Sequence, residues 1–252
     1  AGLVALVEMA LLGAWLTPLQ VQAATWMFGL TGSETLAMSA RFAIVALCVV
    51  FVPTLMLGAA FPIALRLAAD PDHPGRDTGR VLALNTAGGI AGTVLTGFVL
   101  VPALGVERAL SVLTLVAAGI GVVAVLRNSQ VQPVLRFGTL GLAIVAVVVA
   151  FALPSDLLAR QLARAHGGEL VYHEASAGGD IAVITQGARQ NPFHRLYIQG
   201  VSNSGDSLPS IRYMRLQTLL PLLIHRGAPR SVLVIGLGTG ITAGSLLQYP
   251  KL

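Results

Sequence analysis

Charge is scarce in this chain. Asp, Glu, Lys and Arg make up 11% of its 252 residues, while 55% are hydrophobic and the mean hydropathy is +0.78. No soluble domain needs so much apolar surface, so part of the chain is expected in lipid. Cysteine is nearly absent: Cys48 stands alone inside an apolar run, which excludes a disulfide framework and a thiolate metal site. Aromatics are few, at 6%, and no basic stripe interleaves with them. The net charge of +5 therefore does not describe a nucleic-acid surface; the arginines are dispersed or flank apolar runs, as they do at membrane edges. There is also no initial Met and no charged leader. The chain opens on Ala1 and stops at Leu252 inside a strand-to-helix unit, so it reads as a piece at both ends.

Long hydrophobic runs are what it has instead. Residues 3–16 are apolar apart from Glu8, with Pro18 following, and either end a helix or continue, kinked, through Phe28. Glu8 reads as an acid near the headgroups rather than a functional intramembrane group. Four spans follow at about Phe42–Leu65, Leu82–Leu104, Ala109–Leu126 and Phe137–Leu153. Pro53 and Pro62 are expected to kink the first, and Gly88 and Gly92 in the second form a small-xxx-small pair suited to close helix packing, with Asn85 beside them. Between these two spans, Asp70, Asp72 and His73 are metal-ligand types. Their prolines and mixed charges make the stretch a solvated loop, and no metal site is expected.

After Pro154 a soluble composition returns with Asp156, Arg160, Arg164 and Glu169, which sets a domain boundary. Residues 1–153 are read as the transmembrane domain, 154–206 as a linker helix and small β-sheet domain, and 207–252 as the start of a Rossmann-like domain. The helix covers Ser155–His166, period-2 segments at Leu170–Glu174, Asp180–Thr185 and Arg195–Gln199 make a small antiparallel sheet, and Ser207–His225 is helical with Leu216, Leu219, Leu220 and Leu223 on one face.

The stretch with chemistry in it is Ser231-Val232-Leu233-Val234-Ile235-Gly236-Leu237-Gly238-Thr239-Gly240. An apolar β-branched run into alternate glycines, then a helical pattern over Thr242–Tyr249, predicts a buried parallel strand turning into a helix. Gly236, Gly238 and Gly240 let the backbone turn sharply and approach a ligand. The dinucleotide fingerprint needs its third Gly where Ile241 stands, so the loop fits an S-adenosylmethionine-type fold better than an NAD fold.

Two sets of residues carry a family resemblance. Thr54-Leu55-Met56-Leu57-Gly58-Ala59-Ala60-Phe61-Pro62 and Gly79-Arg80-Val81-Leu82-Ala83-Leu84-Asn85-Thr86-Ala87-Gly88-Gly89-Ile90-Ala91-Gly92 resemble the membrane part of bacterial fused transporter-like/spermidine synthase proteins. Tyr172-His173-Glu174, Gly179-Asp180-Ile181-Ala182-Val183, Leu196-Tyr197-Ile198-Gln199-Gly200-Val201, Arg212-Tyr213 and the glycine stretch resemble the polyamine aminopropyltransferase module. The resemblance implies an α-helical membrane domain in the bacterial inner membrane, then a small antiparallel sheet and an α/β Rossmann-like domain. It implies decarboxylated S-adenosylmethionine as co-substrate, with S-adenosylmethionine itself as the variant. Gly236, Gly238, Thr239 and Gly240 would lie at the nucleoside. Asn203 belongs to that set and, with Tyr213, faces the acceptor; Asp206 is a candidate substrate-side carboxylate that reads more simply as a solvated turn residue. The partners implied are lipid and a small polyamine or other amine, not nucleic acid; a homo-oligomer is left open.

The acids such a reaction needs are mostly missing. The family's Leu-Asp-Gly-Val-x-Gln is here Ile198-Gln199-Gly200-Val201-Ser202-Asn203, and its Tyr-Gln/His-Glu is Tyr213-Met214-Arg215. The family's catalytic Asp is expected beyond Leu252, and the residues up to Leu252 are not expected to turn over alone. The competing readings are a transporter-like protein whose soluble domain binds a ligand without reaction, and an S-adenosylmethionine-dependent methyltransferase. Cofactor supply places the soluble domain in the cytoplasm, whereas Arg66, Arg76, Arg80, Arg127 and Arg136 fall on one side of the bilayer and would put it on the other.

Overall fold

The computed structural model describes residues 1–68, 74–128, 131–176, 179–250 and 252. Asp70, Asp72 and His73 lie outside the described residues. The chain divides into two units, Ala1–Gln161 and Leu162–Leu252.

The first unit is helical throughout. Helix α1 (Gly2–Thr31) consists of two arms, Gly2–Leu11 and Leu16–Thr31, set at 78°. It ends on Gly32 in the left-handed region, whose N–H returns to the Phe28 carbonyl. One residue later, the Ser33 hydroxyl caps α2 (Glu34–Val45), and Glu34 sits in the first turn where the helix dipole favours an acid. From there an unbroken rod runs through a π-helical stretch, Ala46–Phe51, into α3 (Val52–Ala68). The π stretch precedes Pro53, which has no N–H and crowds the carbonyl four residues back. Widening the helix there gives the freed carbonyls new partners.

The same device recurs between α4 (Pro74–Leu95) and α5 (Val101–Arg127). The stretch Thr96–Leu100 is π-helical ahead of Pro102, and the Val101 N–H bonds five residues back to Thr96. The two spans predicted at Leu82–Leu104 and Ala109–Leu126 lie in one run of 53 residues from Gly75 to Arg127 that is broken between them. A straight rod of that length would be about 80 Å, far beyond a hydrocarbon core of about 30 Å. Gly105 divides it: its φ of 79° and ψ of 169° are not helical. Helix α6 (Pro133–Ala152) then packs along α5.

Three helical runs, Glu34–Ala68, Gly75–Arg127 and Pro133–Ala152, are long and apolar enough to cross a membrane, and the bent α1 pair makes a fourth if it is one span. Their apolar side chains are largely exposed. Gly88 and Gly92 face open space rather than a neighbouring helix among the described residues, and Asn85 is exposed beside them. What this unit buries is mostly small and partly polar, including Leu6, Ala24, Ala109, Ala146 and Ala159, with Glu107, Ser111 and Thr114 on α5. The Glu107 carboxylate accepts the Leu158 N–H at 3.4 Å, at the start of α7 (Leu157–Ala165), and the Gln161 amide donates to the Met9 carbonyl at 3.0 Å.

The second unit is built on a four-stranded antiparallel sheet in the order β1 (Glu169–Ser176), β2 (Gly179–Gln186), β3 (Phe193–Ile198) and β4 (Val201–Gly205). Three of these strands were expected and the fourth was not. Gln199 and Gly200 both have positive φ, 52° and 74°, the backbone that a two-residue hairpin turn demands. Ala182, Ile184 and Tyr197 form the buried face, and the His166 ring packs on Tyr197 with centroids 5.1 Å apart. Helix α8 (Leu208–Ile224) buries Met214 and Thr218, while Leu216, Leu220 and Leu223 are exposed, so the core-facing stripe is not the leucine face expected from sequence.

Two further corrections concern the glycine stretch. Residues 231–237 form no strand, and Leu233 and Ile235 are 83% and 89% exposed. A buried parallel strand needs paired edges and covered faces, and no described element supplies them. The helix expected over Thr242–Tyr249 is one turn, α9 (Ile241–Gly244), continued as a 3₁₀ turn over Ser245–Gln248.

Ile184 is wholly buried at the centre of the sheet. Ile184→Ala should cost about 2–5 kcal/mol, the range for a core deletion. Val171→Ala, on an exposed position of β1, should change stability by less than about 0.5 kcal/mol. Thermal unfolding of both variants in detergent checks the contrast.

Candidate functional site

The α8 face that is buried points at the glycine stretch. Met214 and Thr218 are one turn apart, which places them on the same side of the helix. The Thr218 hydroxyl donates to the Thr242 carbonyl at 2.7 Å, and the Thr239 hydroxyl donates to Met214 sulfur at 3.6 Å. These contacts tie both ends of the segment Thr239–Thr242 to α8. Before them the backbone passes through Gly236, Gly238 and Gly240 with φ of 86°, 54° and 75°. Alternate left-handed residues coil the chain tightly, and the Gly240 N–H closes the last turn on the Leu237 carbonyl at 2.9 Å.

Between β3, β4, α8 and this loop lies a cleft of about 520 Å³. Asn203, Tyr213, Gly236, Gly238 and Thr239 all line it, five of the seven site residues expected from sequence. Gly240 stands at the start of α9, beside the lining rather than in it. Asp206 does not line the cleft either. Its carboxylate accepts the His194 backbone N–H, and its second oxygen lies 2.8 Å from His194 Nδ1, while its own N–H donates to the His194 carbonyl. Asp206 thus clasps the open end of the β3–β4 hairpin.

The cleft is polar without being acidic. Asn203 Nδ2 donates to the Val201 carbonyl at 3.0 Å, and the Tyr213 hydroxyl accepts from Gln217 at 2.7 Å. Ser204 Oγ is buried, has no hydrogen-bond partner among the described residues, and would lie 3.8 Å from a Cβ placed on Gly238. Arg195 lines the same space. Sequence reasoning missed Arg195 and Ser204, because an Arg and a Ser on short strands carry no motif; the Gln199-Gly200 turn was the signal that would have located β4 and, with it, Ser204. No Asp or Glu lines the cleft among the described residues. Nor do any three His, Cys, Asp or Glu side chains among them gather closely enough for a metal ion.

Two curated relatives, polyamine aminopropyltransferase 2 and polyamine aminopropyltransferase 1, both of Ralstonia nicotianae, are each 31% identical to this chain over 226 residues. The match takes in 84% of this chain but 42% and 41% of theirs, so the chain spans about two fifths of their length. So long a match cannot fit within Leu162–Leu252 and must run through the helical unit too. It supports a spermidine synthase-like family. No family model matches the chain, and no solved structure does.

Two outcomes test the site's construction. At Gly240 a Cβ would meet no atom, so Gly240→Ala should cost only the left-handed backbone penalty, about 1–2 kcal/mol, and Gly240→Asn less, as measured by thermal unfolding. For Asp206, burial alone would raise the carboxyl, but the hydrogen bonds from the His194 ring and backbone N–H and the His194 charge together hold it below the ordinary value of 3.8. A carboxyl whose folded pKa is depressed contributes stability above its unfolded pKa and loses it as pH falls through the folded one. The acid limb of the unfolding midpoint below about pH 4 should therefore flatten in Asp206→Asn; an unchanged limb rules the clasp out as its source.

Proposed function

We propose that this chain is the membrane-anchored front part of a spermidine synthase-like transferase, moving an aminopropyl group from decarboxylated S-adenosylmethionine to an amine. The observation that carries the reading is the convergence of Asn203, Tyr213 and the glycine loop on one cleft, in a chain similar to two polyamine aminopropyltransferases. In this reading Gly236, Gly238 and Thr239 present backbone and hydroxyl to the nucleoside, and a side chain on Gly238 would intrude on that approach. Asn203 and Tyr213 orient the acceptor amine toward the sulfonium.

The chemistry asks chiefly for alignment. The neutral amine nitrogen attacks the methylene carbon next to the positive sulfur, the C–N bond forms as the C–S bond breaks, and the bonding pair leaves on sulfur as a neutral thioether. The new ammonium then loses a proton. Holding nitrogen, carbon and sulfur in line is worth several powers of ten in rate, and a cleft walled by α8 and the tied glycine loop is a rigid place to do so.

The helical runs would sit in lipid, with the second unit on the cytoplasmic side where the nucleoside is made. A reporter active only in the cytoplasm, fused after Leu252, should give signal; a signal only from an exterior reporter would overturn aminopropyl transfer, because the co-substrate is not supplied there. With the full-length protein in its membrane, decarboxylated S-adenosylmethionine and an amine should yield methylthioadenosine and an aminopropylated product. Gly238→Val should weaken nucleoside binding at least about tenfold, or about 1.4 kcal/mol, in a calorimetric titration.

A further inference from the structure

The helical unit holds a groove of about 650 Å³ between α1 and α2, which fold back on each other through the short Gly32-Ser33 link. Ala24 and Phe28 line it from α1, one turn apart on one face. Glu34, Met38 and Arg41 line it from α2 at positions i, i+4 and i+7, again one face. The groove therefore carries an acid at one level, a base at another, and apolar side chains between them.

The levels follow from the apolar run. Between Arg41 and Arg66 the rod that leads from α2 into α3 carries no charged residue. Its stretch Phe42–Leu65 measures about 36 Å as helix, enough for a hydrocarbon core of about 30 Å. Arg41 stands at one edge of that core, and Glu34 lies about 10 Å further out along the axis. Trp26, on α1 and 67% exposed, is the type of side chain that settles at the same interface. Because a helical side chain leans toward the N-terminus of its helix, Arg41 leans outward, toward the level of Glu34.

An aminophospholipid presents its charges in that order: phosphate next to the glycerol and acyl chains, ammonium beyond it. The guanidinium suits the phosphate through paired N–H donors, and the carboxylate accepts from the ammonium. An anionic head group without an amine would meet the repulsion of Glu34, and a choline head group has no N–H to donate. We propose that the groove between α1 and α2 binds a phospholipid with a primary-amine head group, its phosphate on Arg41 and its ammonium on Glu34. The inference rests on the helical unit lying in lipid and is independent of the transferase reading.

The full-length protein, purified in detergent, is offered equimolar phosphatidylethanolamine, phosphatidylcholine and phosphatidylglycerol of one acyl composition, and the retained lipid is identified by native mass spectrometry. Phosphatidylethanolamine should be retained at least about tenfold over either competitor. Glu34→Gln should abolish its advantage over phosphatidylcholine. Arg41→Gln should lower retention of all three lipids, and Arg41→Lys should keep part of it. Arg66→Gln, at the other edge of the same rod, should change none of these. Glu34 and Arg41 are exposed, so their variants should fold, which circular dichroism checks. Equal retention of phosphatidylethanolamine and phosphatidylcholine overturns the inference. So does a preference for phosphatidylglycerol, which would make the groove an anion site of Arg41 alone. Retention of no lipid overturns it too, and is the result if another helix of the full-length chain fills the groove. Methylthioadenosine formation by the same preparations reports separately on the transferase reading, so either can fail alone.

Discussion

The Thr218 hydroxyl reaches from α8 to the carbonyl of Thr242, and the cleft depends on that bond. The residues before it, 231–237, have no strand partner, so nothing in a sheet ladder holds them. What fixes the glycine loop is its far end, where Thr218 and Met214 grip Thr242 and Thr239 from one helical face. Those two positions are buried on α8 while Leu216, Leu220 and Leu223 are exposed. The helix has given its core-facing stripe to positioning the loop, and the floor of the cleft follows.

The opposite wall depends on a hairpin. Gln199 and Gly200 turn the chain with two positive φ values, and β4 returns along β3 to bring Ser202, Asn203 and Ser204 to the cleft. Asp206 and His194 then close the strand ends. Asp206, which sequence alone offers to a substrate, is engaged by His194 at the end of the sheet.

In the helical unit the same economy appears in another solvent. Prolines that would break a helix in water are absorbed by π turns at Ala46–Phe51 and Thr96–Leu100, which re-pair the carbonyls that Pro53 and Pro102 release. The only non-helical backbone within the 53-residue run is at Gly105, where the residue has no Cβ to oppose it. Exposed apolar faces on nearly every helix are what lipid or further helices would cover.

Much of this was legible in residue order. Apolar runs, the composition change after Pro154, three of four strands, the α8 helix and the left-handed glycines all follow from local rules: length against a bilayer, period 2 against period 3.6, and the freedom of a residue without Cβ. Five site residues were also named before their meeting place was known, because the glycine spacing and the Asn203 and Tyr213 positions resembled a family pattern. What residue order could not decide was who pairs with whom. Whether Val232–Ile235 is a strand depends on neighbours, which face of α8 is buried depends on what packs there, and whether Asp206 meets a ligand depends on a histidine twelve residues upstream of the acid. Local conformation is a property of short stretches of chain, whereas burial and charge pairing are properties of contacts, and only the tertiary structure makes those.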